Sequence, residues 1–268
     1  METENLLDFD ELKVYFGEDY YPSDKIRITQ PTIGDIMEFG DSKFYSIVTT
    51  LCGNPTMFRL QLWDSGVDWN EISDFDLFSV LIKNYTPKET YLLFGDLNLS
   101  WFEKFYDEER DCNLLINIPR DDNGNFLPMN PEDLIIIDEI IYIKIVEYLR
   151  YMFNIYPKVE KAKGKITKQA IIDEERMNLE NELNKKKDNH IKKSFLYPLI
   201  SSAVNHPGFK YKKNELREVG IVEFMDSVQR LQIYESTRAL LSGSYSGMVD
   251  TSKMDKNEFN FMRDIHSK

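Results

Sequence analysis

Two cysteines and three histidines in 268 residues leave little from which to build a metal site or a thiol relay. Cys52 and Cys112 are too few for a disulfide framework and lack zinc-ligand spacing, a usage that suits a reducing cytosol. No stretch reaches the roughly 18 uninterrupted apolar residues that cross a bilayer. The densest, Leu134 to Ile155, is broken by Asp138, Glu139, Lys144, Glu147 and Arg150. Basic residues are outnumbered, 33 against 46, for a net charge of −13, so neither nucleic acid nor an anionic membrane is the expected partner. The opening METENLLDFDEL is acidic where a secretion leader is basic and then apolar, so the expected place of action is the cytoplasm of the cell that makes the chain.

Signatures of catalysis are missing as well. There is no GxxxxGK[ST] loop, no GxGxxG after a strand, no HExxH, no GxSxG and no EF-hand loop. His190, His206 and His266 stand apart from one another and from any cysteine, whereas metal ligands cluster. Asp107, Glu108, Glu109 and Asp111 imitate the carboxylates of a two-metal nuclease, but without His or Lys partners a solvated charge run is the preferred reading. Cys52 lies on an apolar helical stripe with no histidine nearby, which favours a small buried hydrophobe over a nucleophile. No catalytic, cofactor-binding or metal-binding residue is assigned.

What the chain does have is enough apolar content, 42%, to build a core, and an aromatic share of 13%. Its charge divides it into three regions. Residues 1–157 carry 12 basic and 30 acidic side chains, a net of −18, and read as an acidic α+β domain. Residues 158–193 carry 11 and 7, lack aromatics and read as an exposed, charged helical insert or linker; its Lys185–Lys187 and Lys192–Lys193 fit a solvated helix better than a nucleic-acid contact. Residues 194–268 read as a C-terminal helical region. The expected class is α+β, predominantly α-helical, with short antiparallel strands in the N-terminal region.

Local signals fill in this outline. Leu12–Phe16 and Lys25–Thr29 are β-like around an EDYYPSD turn. Helices are expected over TIGDIMEF after Pro31, over DSKFYSIVTTLC, from Asn54-Pro55 to Gly66, and from Ser73 through DFDLFSVLIKN. Tyr91–Phe94, Phe102–Tyr106 and Leu114–Ile118 are β-like, and Asn123-Gly124 marks a reversal. Asn130-Pro131 opens a helix to Ile155, expected to be the most buried of all, although the apolar run at Leu134–Ile137 leaves strand open there. Near the C-terminus, Ile221, Phe224, Met225, Val228, Leu231 and Tyr234 form a helical stripe opposite Asp226 and Arg230, Gly243 ends it, and SYSGMVDTSKM is an extended exit. Trp63 and Trp69, amphipathic rings among polar neighbours, are the expected partner-binding residues.

Two stretches, 25–82 and 194–254, resemble the tail assembly chaperones encoded in tail-gene modules of long-tailed phages and prophages of Gram-positive bacteria. The likeness is carried by Gln30-Pro31-Thr32-Ile33-Gly34-Asp35-Ile36, Gln61-Leu62-Trp63-Asp64, Glu71-Ile72-Ser73-Asp74-Phe75, Asn205-His206-Pro207-Gly208-Phe209 and Phe224-Met225-Asp226-Ser227-Val228. The resemblance implies a non-enzymatic protein of the host cell cytoplasm, binding the tape-measure protein and helping recruit tail tube protein during tail morphogenesis. It leaves the insert and the segment 88–130 outside. A structural virion component (neck, tail-completion or baseplate protein) and a metal-dependent nuclease using the acids at 107–111 are the alternatives.

Overall fold

A computed structural model of the chain describes residues 9–121, 123–128, 130–187, 194–247 and 254–265. Ten helices and five strands are present among them: α1 (Glu11–Tyr15), β1 (Tyr20–Ser23), β2 (Ile26–Ile28), α2 (Ile33–Phe39), α3 (Asp41–Leu51), α4 (Arg59–Asp64), α5 (Asp74–Leu81), α6 (Pro87–Phe94), β3 (Phe102–Asp107), β4 (Cys112–Asn117), β5 (Ile136–Ile137), α7 (Glu139–Phe153), α8 (Lys165–Lys187), α9 (Leu196–Val204) and α10 (Ile221–Tyr245). At 55% helix and 10% strand, with a β1–β2 hairpin and a small antiparallel sheet ordered β3-β4-β5, the protein is α+β and mainly helical. No helix among the described residues is long and apolar enough to cross a membrane.

The centre is α7. Seven of its fifteen residues, Tyr142, Ile145, Val146, Tyr148, Leu149, Met152 and Phe153, are buried and share one broad face of the helix, while Glu139 and Ile140 are exposed. Around it lie β1, α3, β5 and α10. Tyr20 stacks on Tyr148 with ring centroids 4.4 Å apart, Phe9 meets both edge-on, and Phe153 meets Phe44 of α3. Burying an aliphatic or phenyl side chain of this size contributes about 1.5–3 kcal/mol relative to leaving it in water, so this cluster dominates the fold. Residues from both flanks of the insert enter the same core: Leu196, Ala203, Leu216, Ile221, Phe224 and Val228 pack with Ile26, Ile36, Phe44 and Tyr148.

Chain reversals decide where the sequence signals are right. Leu12–Phe16 is not a strand, because Asp10 accepts a hydrogen bond from Leu12 N (2.9 Å) and caps α1, which Gly17 ends at φ +74°. The hairpin instead uses Tyr20–Ser23, inside the expected turn. Tyr91–Phe94 is the end of α6, started by a Thr86/Glu89 capping box with Pro87 in its first turn. Asn54 caps only a turn, accepting from Met57 N, and α4 begins later at Arg59. The helix expected from Pro131 is delayed: Pro131–Asp133 is a 3-10 turn, Ile136 and Ile137 pair with Ile116 and Leu115, and Asp138 then caps α7. α10 passes Gly243 and ends at Tyr245; most of the expected extended exit lies outside the described residues.

Segments 25–82 and 194–254 are stitched together. Ile33 N donates to Val219 O and Ile221 N to Pro31 O, both at 3.0 Å. At Gly34 the backbone of α2 meets the 3-10 turn Glu215–Glu218 so closely that a Cβ would sit 2.7 Å from the Arg217 carbonyl oxygen. Gly34→Ala is therefore expected to lower unfolding free energy by about 1–3 kcal/mol in urea titration, against a favourable helix propensity gain of under about 1 kcal/mol. Unchanged stability would show that this seam is loose.

Candidate functional site

The two tryptophans expected to face a partner do come together, with rings 5.8 Å apart and edge-on. Their neighbour, however, is the chain's own insert. Trp69 is 3% exposed and forms, with Leu60, Ala162 and Ile172, a small apolar cluster separate from the main core; Leu62, Trp63 and Ile171 flank it. The insert reads as polar because it spends so few apolar residues on this contact: Ile172 is the one fully buried side chain of α8 among the described residues, while Ile166, Met177, Leu179 and Leu183 are exposed.

Polar contacts fix the insert's position. Its lead-in is laced to the 54–70 segment: Asn54 Nδ2 donates to Lys158 O (3.0 Å), Trp69 Nε1 to Glu160 O (3.3 Å) and Asn70 Nδ2 to Ala162 O (2.6 Å). Ion pairs add to this, Arg59 with Glu160 of the lead-in and, on the helix itself, Glu175 with Arg59, Lys168 with Asp68 and Arg176 with Asp64. The Lys168 hydrogen bond keeps the Asp68 carboxyl below its ordinary value, more than offsetting its desolvation. The exposed Arg176–Asp64 pair contributes about 0.2–1 kcal/mol, whereas Arg59–Glu175 and Lys168–Asp68 are half-buried, so docking rests on those two pairs together with Ile172 and the hydrogen-bonded lead-in.

An open apolar groove lies elsewhere, between α2 and α9. It encloses about 520 Å³ and is lined by Met37, Leu196, Tyr197, Ile200, Val204 and Asp41, among others. α9 buries Leu196 and Ala203 in the core, and Ile200 and Val204, half-buried against that same core, line the groove together with the exposed Tyr197. Tyr197 is 71% and Met37 48% exposed. Asp41 anchors the start of α9: its carboxylate accepts from Ser194 Oγ (2.6 Å) and Leu196 N (3.1 Å), and the Ser194 hydroxyl in turn accepts from Tyr197 N (2.9 Å). Desolvation alone would raise the Asp41 carboxyl, but these bonds outweigh it and hold it low. The sequence signal for this groove was available in SFLYPLISSAV, whose apolar residues exceed what one face of a short helix can bury.

A larger cleft, about 950 Å³, borders His206, Lys210 and α10, but most of its charges face one another. Arg230 pairs with Asp226 (3.4 Å), Lys210 with Glu223 (3.4 Å), and His206 Nε2 lies 3.6 Å from Glu235. The acids at 107–111 form the β3–β4 turn: Asp107 Oδ1 accepts from Glu109 N and Arg110 N, Asp111 takes a left-handed φ of 51°, and Tyr106 donates to it. No group of three or more His, Cys, Asp or Glu side chains with a metal-holding arrangement occurs among the described residues. Cys52 is buried in α3's apolar surroundings, which push its thiol up to about 12, against the pull of Arg150. His190, His266 and Lys192–Lys193 lie outside the described residues.

No protein-family model, no curated protein and no solved structure matches this chain.

Folding lowers the Asp41 carboxyl, so its contribution is fully present above its unfolded-state value, near 3.8, and fades as pH falls through the lower folded value. Asp41→Asn is expected to cost about 1 kcal/mol at pH 7, the low end for a solvent-screened charged acceptor, and less at the lowest pH at which the protein still folds, as the wild-type carboxyl takes up its proton. Urea unfolding at the two pH values checks this; an equal cost at both would assign the loss to packing alone.

Proposed function

We propose that this protein is a non-enzymatic tail assembly chaperone that holds an amphipathic helix of a phage tape-measure protein during tail morphogenesis. The observation that carries the reading is the open groove beside α9, lined by the exposed Tyr197 and Met37 and by the half-buried Ile200 and Val204. A groove with an apolar floor and a polar rim is the surface that helix-in-groove recognition uses, with anchors at i, i+3 and i+7. Those anchors belong to the helix that docks; on the groove side Tyr197, Ile200 and Val204 fall on one face of α9.

Composition supports the same role. A net charge of −13 keeps a complex carrying apolar client helices from self-association, and that charge is concentrated in the first 157 residues, beside the groove's α2 wall. The likeness of 25–82 and 194–254 to tail assembly chaperones points to the tape-measure protein as client, with tail tube protein as a further partner, and to the host cytoplasm as the place of action.

Co-expression of the protein with the tape-measure protein encoded beside it, followed by affinity capture, tests this. Met37→Glu with Tyr197→Glu, both at exposed positions, should reduce capture about tenfold, a loss of about 1.4 kcal/mol, while thermal unfolding shifts by no more than a few degrees. Undiminished capture would remove the groove from the reading. Mass spectrometry of purified particles supplies the other arm: a chaperone is absent or trace, and a fixed copy number in finished tails would contradict the role.

A further inference from the structure

The Trp63–Trp69 surface has the features of a helix-binding seat that is filled from within. α8 is 23 residues long, and the contacts with the body seen among its described residues run along Lys168, Ile171, Ile172, Glu175 and Arg176, a face spaced by three and four. Its cluster is separate from the main core, so removing α8 leaves the α7-centred packing intact. Its fit is also imperfect: Asn70 Oδ1, beneath the lead-in, is buried without a hydrogen-bond partner. The lead-in is fastened by backbone-directed hydrogen bonds through Ala162, and Gly164, at φ +82°, separates that fixed piece from the helix. A left-handed glycine between a pinned segment and a lightly held helix is a place where the chain can turn.

The seat also specifies what fits it. Arg59 lies at one end of the contact, Asp68 at the other, and Asp64 beside Arg59's partner on the helix. α8 answers with Lys168-x-x-Ile171-Ile172-x-x-Glu175-Arg176. An occupant therefore needs a base, an apolar pair three and four residues later, and an acid followed by a base after a further turn. This charge complementarity defines a partner class: an amphipathic helix of mixed charge, not a uniformly basic or acidic one.

We propose that the seat of Leu60, Trp63 and Trp69 is a helix-exchange site, occupied by α8 in the free protein and by an amphipathic client helix of that pattern when α8 swings out about Gly164. The identity of the client as the tape-measure protein rests on the proposed function above; the exchange itself does not. α8 is then a built-in competitor that keeps the tryptophans covered until a better-matched helix arrives. Effective concentration favours the tethered α8, so the client must present its helix at high local concentration or with a closer fit, as a long repetitive partner does.

The experiment uses the full chain. Lys168→Glu with Arg176→Glu reverses two of the helix's charges against Asp68 and Asp64 and unseats α8 without altering the seat. Tryptophan emission should shift to the red, circular dichroism should keep the helical signal, and a labelled peptide of residues 165–180 should bind this variant at least tenfold more tightly than it binds wild type. Adding Asp68→Lys should abolish that binding. No peptide binding by the folded, red-shifted variant would overturn the seat. Peptide binding with tape-measure capture no greater than wild type's would overturn the exchange while leaving the groove-based chaperone reading intact. Capture rising severalfold in the unseated variant is the expected result. Loss of capture by wild type and variant alike would instead sink the client assignment, with the peptide arm still deciding the seat.

Discussion

Enclosing α7 is the constraint from which the rest of the structure follows. A fifteen-residue helix with so broad a buried face needs several neighbours along it, and the chain supplies them from both ends: the β1–β2 hairpin, α3, β5 and α10. Two aromatic clusters are spent there, Tyr20, Phe9 and Tyr148 in one and Phe44, Tyr45 and Phe153 in another. Those six rings need no partner to explain them.

What remains after α7 is enclosed is more informative about function. α9 has met its core with Leu196 and Ala203 and still shows Tyr197, Ile200 and Val204 to an open groove. α8 reaches the body through one buried isoleucine and a set of ion pairs. These are opposite cases: an exposed apolar surface looking for cover, and a covered one whose cover is lightly held. Magnitudes separate them from the core, since a buried ring contributes a few kcal/mol where a screened ion pair contributes a fraction of one. Local opening is expected at the weakly held end of that range, which is where binding elements are drawn from.

Much of the fold was legible in the sequence because it rests on local chemistry. Ser73 capping α5, the Asp226–Arg230 pair on α10, the β3–β4 hairpin and the deep burial of α7 follow from caps, periodicity and turn residues. The failures share a cause: short apolar runs do not distinguish helix from strand. Leu12–Phe16 and Tyr91–Phe94 became helices through the Asp10 cap and the Thr86/Glu89 box, and Ile136–Ile137 became strand because β4 needed an edge partner. The candidate site was legible only in part. Trp63 and Trp69 are adjacent as an interface would have them, but the occupant of their surface is the insert, whose lack of apolar residues concealed that Ile171 and Ile172 are enough to dock it. The α9 groove was missed because apolar residues in a short helix read first as core.

Hydrogen-exchange mass spectrometry on the protein with and without the tape-measure protein tests the central claim, that surplus apolar helix surface exists to hold another helix. The account predicts new protection over 194–205 and 33–45, unchanged protection over the already occupied 59–72, and faster exchange over 165–187 as α8 is released. Protection confined to the β3–β4 hairpin or to the His206 cleft, with 165–205 unaffected, would contradict it.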